Sequence, residues 1–145
     1  MKFSDLALRA AGIPEIYSGR EIMKIEQVSE AFVIDGNVSI KRRQKTAVDA
    51  DGNVVGMVST KGNPIEDRVV FLPVKLDSGA SVVIATKSPL ILQMFRSLPV
   101  SETQDFGKTA KLDIIDLEIE GKMMFTQGPY KYGSREIMVP MLKEA

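Results

Sequence analysis

The chain has 145 residues, 44% apolar and 26% charged. That is the profile of one ordinary folding domain, outside the low-hydrophobicity, high-charge range of disordered chains. Lys and Arg balance Asp and Glu at 19 each, so no global field draws the protein toward nucleic acid or an anionic membrane, and any such binding must come from a local patch. The absence of Cys and His excludes disulfides, thiol nucleophiles, Cys or His metal sites and the Ser-His pairing of most triads.

Taken in chain order, residues 4–11 read as a short helix, with Ser4 as cap, Leu6 and Ala10 on one face, and Gly12 and Pro14 as the stop. From Arg20 the pattern turns to β. Strands are expected over 21–28 and 31–34, followed by a turn at Asp35-Gly36-Asn37. Segments 38–48 and 54–59 flank Asp51-Gly52-Asn53 and predict a second hairpin with long polar arms. Residues 68–76 and 81–85 carry nearly continuous apolar runs, which marks them as the central strand pair.

Ser88 and Pro89 are good residues for the start of a helix over 88–98. Its Leu90, Ile91, Met94, Phe95 and Leu98 recur at helical spacing and plug a core, and Pro99 ends it. A polar loop runs through Phe106 and Gly107, and a strand follows over 109–120, where the adjacent Ile114 and Ile115 suggest a bulge. Residues 122–127 and 136–142 supply the last two strands, and Pro140 argues that the final one lies at an edge. The whole predicts a single mainly β domain (β-rich α+β) of about seven or eight strands, a small antiparallel barrel or sandwich with one plug helix. The element order is compatible with an oligonucleotide-binding (OB-like) barrel, whose helix lies between its third and fourth strands.

One segment occurs twice: Pro14-Glu15-Ile16-Tyr17-Ser18-Gly19-Arg20-Glu21-Ile22-Met23 and Pro129-Tyr130-Lys131-Tyr132-Gly133-Ser134-Arg135-Glu136-Ile137-Met138. The two ends of the chain are therefore expected to build the same local structure. If the copies lie side by side, Tyr17, Arg20, Tyr132 and Arg135 present two aromatic faces and two guanidinium groups on one surface, the combination that single-stranded nucleic acid uses for stacking and phosphate contact. The competing reading packs each tyrosine over its turn and pairs Arg with Glu across strands. Tyr130 and Lys131 add an aromatic and a cation to the second, Gly-rich loop, a ligand-like segment or a packed hairpin loop.

Lys41, Arg42, Arg43 and Lys45 form the basic run, which either follows a phosphate backbone on a projecting arm or pairs across strands with Asp116, Glu118 and Glu120. Gly107-Lys108-Thr109 lacks the first glycine and the helix of a phosphate-binding loop, and Asp49 to Asn53 lacks the glutamate of a calcium loop. The eight methionines read mainly as core filler. The longest apolar stretch, Val69 to Leu72, is broken by Pro73 and is far too short for a bilayer, and no apolar run of signal-peptide length stands near Met1, so a cytoplasmic protein without a membrane partner is expected.

The functional expectation is a non-enzymatic module, needing no cofactor or metal, that binds single-stranded DNA through Tyr17, Arg20, Tyr130, Lys131, Tyr132 and Arg135, helped by Lys41, Arg42, Arg43 and Lys45. A structural subunit forming homo-oligomeric β contacts is the alternative, and a carboxylate-dependent hydrolase built on the acidic strand is the third.

Overall fold

The computed structural model describes residues 16–17, 19–106, 110–117 and 119–145. The expected helix over 4–11 lies outside them. The chain is mainly β. In order it forms β1 (Ile16–Tyr17), β2 (Arg20–Met23), a 3-10 turn (Ile25–Gln27), β3 (Phe32–Ile34), β4 (Ser39–Gln44), β5 (Thr46–Val48) and β6 (Val54–Gly56). It continues with β7 (Glu66–Leu76), β8 (Ser81–Thr86), helix α1 (Pro89–Arg96), β9 (Val100–Asp105), β10 (Ala110–Ile115), β11 (Lys122–Tyr132) and β12 (Arg135–Glu144). No helix among the described residues is long and apolar enough to cross a membrane.

Strand β7 organises the sheet. Along one edge it pairs with β8 (Val70↔Thr86 to Lys75↔Ser81). Its other edge is shared end to end, by β4 against the first half (Gln44↔Glu66 to Ser39↔Phe71) and by β3 against the second (Ile34↔Val74 to Phe32↔Leu76). The expected turn at Asp35-Gly36-Asn37 is thus the corner between two strands on one edge, held where Asp35 N–H donates to Pro73 O at 2.8 Å. The sheet forks there. β10 and then β9 extend from β4, while β11 and then β12 extend from β3, and β2 adds to β8 in parallel.

The path from β1 to β12 does not return on itself, so the expected barrel is not closed. The physical reason is the fork: β4 and β3 carry their own branches away from β7 instead of bringing the outermost strands together. Strand β9, expected as a polar loop, is entirely exposed and is recruited by pairing to β10. The bulge expected at Ile114 and Ile115 is a register shift in that pairing, where Ile114 opposes Glu102 and Ile115 opposes Val100.

Alternation along β7 and β8 sends side chains to both faces. Val70, Leu72, Val74, Val82 and Ile84 join Phe32, Ile40, Ile91, Phe95, Ile115 and Leu142 in the larger core. On the opposite face Val69, Phe71, Val83 and Ala85 meet Ile22 and Leu112 in a smaller one. Both faces are covered, which is why these runs are continuously apolar. Helix α1 plugs the larger core with Ile91 and Phe95, one turn apart and fully buried. It ends at Arg96, two residues before the expected Leu98. Ser88 supplies no side-chain cap, because its hydroxyl donates instead to the Pro140 carbonyl of β12.

That bond ties the helix to the terminal hairpin, which pairs in register from Met123↔Glu144 to Tyr132↔Arg135. Only its base is held by the sheet, through Lys122↔Val33 and Met123↔Phe32. Gly128 is buried under α1, where a Cβ would lie 3.0 Å from Leu90 Cδ1 and would displace Met141. Gly128→Ala is expected to lower the unfolding free energy by about 1–3 kcal/mol through overpacking, measured as a shift of the urea midpoint.

Candidate functional site

The repeated segment builds the same hairpin twice. In the first copy Tyr17 opposes Arg20 and Ile16 opposes Glu21; in the second, Tyr132 opposes Arg135 and Lys131 opposes Glu136. Each two-residue loop contains a glycine at positive φ, Gly19 at 77° and Gly133 at 64°, a conformation that a Cβ disfavours. The copies are not neighbours in the sheet. β1–β2 stands at one end of the strand order and β11–β12 at the other, so the expected four-residue surface of Tyr17, Arg20, Tyr132 and Arg135 is not assembled by strand pairing.

Their surroundings differ as much as their positions. The Tyr17 ring stacks on Phe71 with centroids 4.7 Å apart and planes 7° from parallel, and a tilted contact to Phe106 follows at 6.3 Å. Its hydroxyl shares a hydrogen bond with Ser39 Oγ at 3.1 Å. A ring so held is part of the smaller core. Arg20 beside it reaches Asp35 Oδ2 through Nη2 at 3.2 Å, while its buried Nη1 has no hydrogen-bond partner among the described residues.

The basic run does not lie on a projecting arm, because β4 is held between β7 and β10. Lys41 points into the smaller core with 6% exposure and its ammonium 5.0 Å from the Phe106 centroid. Burial, and next the nearby Arg43, push its pKa below the ordinary 10.5. Arg42 points to the other face and bonds Asp113 Oδ2 through Nε at 2.9 Å, which raises its pKa further. Among the described residues its ion partners are Asp113 and Glu66, not Asp116 or Glu120, and Glu118 lies outside the described side chains. Arg43 is half-buried opposite Asp67, and Lys45 is exposed where the chain leaves for β5.

The projecting arm is β5–β6 instead. Its turn is built by Asp49, whose Oδ1 accepts from the N–H groups of Asp51 at 3.0 Å and Asn53 at 2.9 Å. The arm exposes Val48 (69%) and Val54 (71%).

The second copy of the repeat is the tip of a ribbon that extends beyond α1. Tyr130 opposes Ile137 and Tyr132 opposes Arg135, so strand alternation puts these four residues on one face of the ribbon and Lys131, Glu136 and Met138 on the other. Tyr132 is 72% exposed, Arg135 is exposed, and Tyr130 is half-buried. The tyrosines stand two residues apart, about 7 Å along the strand. Arg135 is the one charge among those four, because Lys131 and Glu136 oppose each other on the reverse side. Of the expected site residues, the ribbon gathers Tyr130, Lys131, Tyr132 and Arg135; the smaller core takes Tyr17 and Lys41; and Arg42 belongs to a separate cleft.

That cleft also contains Arg68 and Arg96, which the sequence reading missed. Neither has a local signature, since they come from a strand and a helix 28 positions apart and meet only after folding.

Two outcomes check these environments. Tyr17→Ala is expected to cost about 2–3 kcal/mol of stability, whereas the exposed Tyr132→Ala stays within about 0.5 kcal/mol of the parent, both read by urea denaturation. Because Lys41 is depressed in the fold, the unfolded chain holds that proton more tightly in the interval below 10.5, and stability rises with pH across it. Compared with Lys41→Met, the parent is therefore expected to gain stability as pH climbs from neutrality toward 10.5, measured by unfolding at stepped pH. Comparison with family models, curated proteins and solved structures finds no match to this chain.

Proposed function

We propose that the chain is a non-enzymatic module that binds single-stranded DNA on the Tyr130, Tyr132 and Arg135 face of its distal ribbon. The observation that carries this reading is the clustering of two tyrosines and an uncompensated guanidinium on one projecting face. Bases stack on aromatic rings with little regard to sequence, and arginine meets the phosphate between them. Lys131 stands on the ribbon's reverse side, opposite Glu136. A zero net charge fits a local contact rather than a global field. The placement of α1 between β8 and β9, with strands before and after it, also supports an OB-like ancestry for a sheet that stays open.

A second reading, a homo-oligomeric assembly subunit, is favoured by a different observation. The β5–β6 arm exposes Val48, Val54 and Val55, with Met57 and Val58 following it, and β12, like β1 and β9, has a single neighbour among the described strands.

The test is fluorescence anisotropy of labelled (dT)20 and of a matched duplex at low and physiological salt. Single-strand preference is expected, with affinity falling as salt rises and Tyr130→Ala/Tyr132→Ala weakening it by roughly ten-fold or more. Unchanged affinity in that variant sinks the ribbon face as the site. No binding even at low salt removes the DNA reading, and a concentration-dependent mass abolished by Val54→Lys would promote the assembly reading.

A further inference from the structure

Between the end of α1 and strands β4, β7, β9 and β10 lies an open cleft of about 520 Å3, inside the size range of small-ligand sites. Its polar lining is Arg42, Arg68, Arg96, Glu66, Asp113 and Thr103. The carboxylates are already engaged. Glu66 Oε2 accepts from Arg68 Nε at 2.9 Å and lies 2.8 Å from its Nη2, while Glu66 Oε1 is 3.7 Å from Arg42 Nη1. Asp113 Oδ2 takes Arg42 Nε at 2.9 Å and its Oδ1 accepts from Thr103 Oγ1 at 2.8 Å.

These bonds hold two guanidinium groups in place yet use only part of their donors. Each arginine carries five N–H groups, so Arg42 Nη2 and Arg68 Nη1 keep theirs. Arg96 has no ion-pair partner among the described residues, and it brings three cations against two anions to one cleft. A positioned fork of this kind matches the oxygens of a phosphate. The apolar side of the cleft is the exposed Val100, with the buried Ile40 and Ile115 forming the floor beneath it. A bare anion has no use for such a wall, whereas the flat, weakly polar body of a nucleotide does.

We propose that this cleft binds a nucleotide unit, its phosphate on Arg42, Arg68 and Arg96 and its base or sugar against Val100 over the apolar floor. The site is separate from the ribbon face and does not depend on it. The unit is either a free nucleotide or one residue of a strand, and the experiment separates the two.

Isothermal titration calorimetry of the full chain with dTMP, with inorganic phosphate and with (dT)10 tests the assignment. Arg96→Gln is the informative variant, because Arg96 is exposed and has no ion-pair partner among the described residues, whereas replacing Arg42 strands Asp113. Circular dichroism confirms that the variant is folded. Saturable dTMP binding is expected, tighter than that of phosphate, weakened about five- to ten-fold by Arg96→Gln and partly restored by Arg96→Lys. Competition by (dT)10 for the dTMP site, itself weakened by Arg96→Gln, identifies a nucleotide within a strand; dTMP binding without such competition identifies a free nucleotide. Absence of dTMP binding, equal dTMP affinity in Arg96→Gln, or phosphate binding as tightly as dTMP would each overturn the proposal.

Discussion

The double-edged pairing of β7 is the constraint on which the other elements depend. One strand of 11 residues supplies the ladder for β8 on one side and for β4 and β3 on the other, and its side chains feed both apolar clusters. Both faces must be covered, because Val69 to Val74 are all buried save for the alternation of side. The helix and the terminal hairpin cover the larger cluster; Tyr17 and Phe106 pack on the smaller. The corner at Asp35 to Asn37 then decides the topology, since it divides one edge of β7 between two strands and sends the sheet in two directions.

The repeated segment separates local from tertiary determination within one molecule. Loops of equal length, with glycine second in one copy and first in the other, give the same Tyr–Arg opposition, because loop length fixes the register. What each tyrosine does is set by what stands over it. Phe71 meets Tyr17, and nothing among the described residues covers Tyr132, which remains 72% exposed. One copy is consumed by folding and the other stays open to solvent.

The basic residues divide in a similar way. Successive strand residues point to opposite faces, so Lys41 enters a core and Arg42 enters a cleft although they are adjacent in sequence. A run of positive charge on a central strand is therefore not a patch. Separate elements instead gather arginines in the cleft, where Arg68 and Arg96 join Arg42, while the ribbon tip carries Arg135 alone. Both lie on surfaces that a zero net charge hides from any compositional reading.

By itself the sequence determined the β character, the central pair at 68–76 and 81–85, the plug face of the helix through Ile91 and Phe95, and the equivalence of the two repeat copies. These follow from short-range periodicity, from turn residues and from apolar runs, all of which act within a few positions along the chain. Only the tertiary structure decided that the sheet forks rather than closes, that Val100 to Asp105 is a strand, and that Ser88 bonds Pro140 instead of capping its helix. It also decided that Tyr17 is packed while Tyr132 is free to solvent, and that Arg96 joins Arg42 and Arg68. Most of these depend on residues tens of positions apart, whose proximity is set by which strand edges pair, and pairing between strands not joined by a tight turn leaves little trace in local pattern.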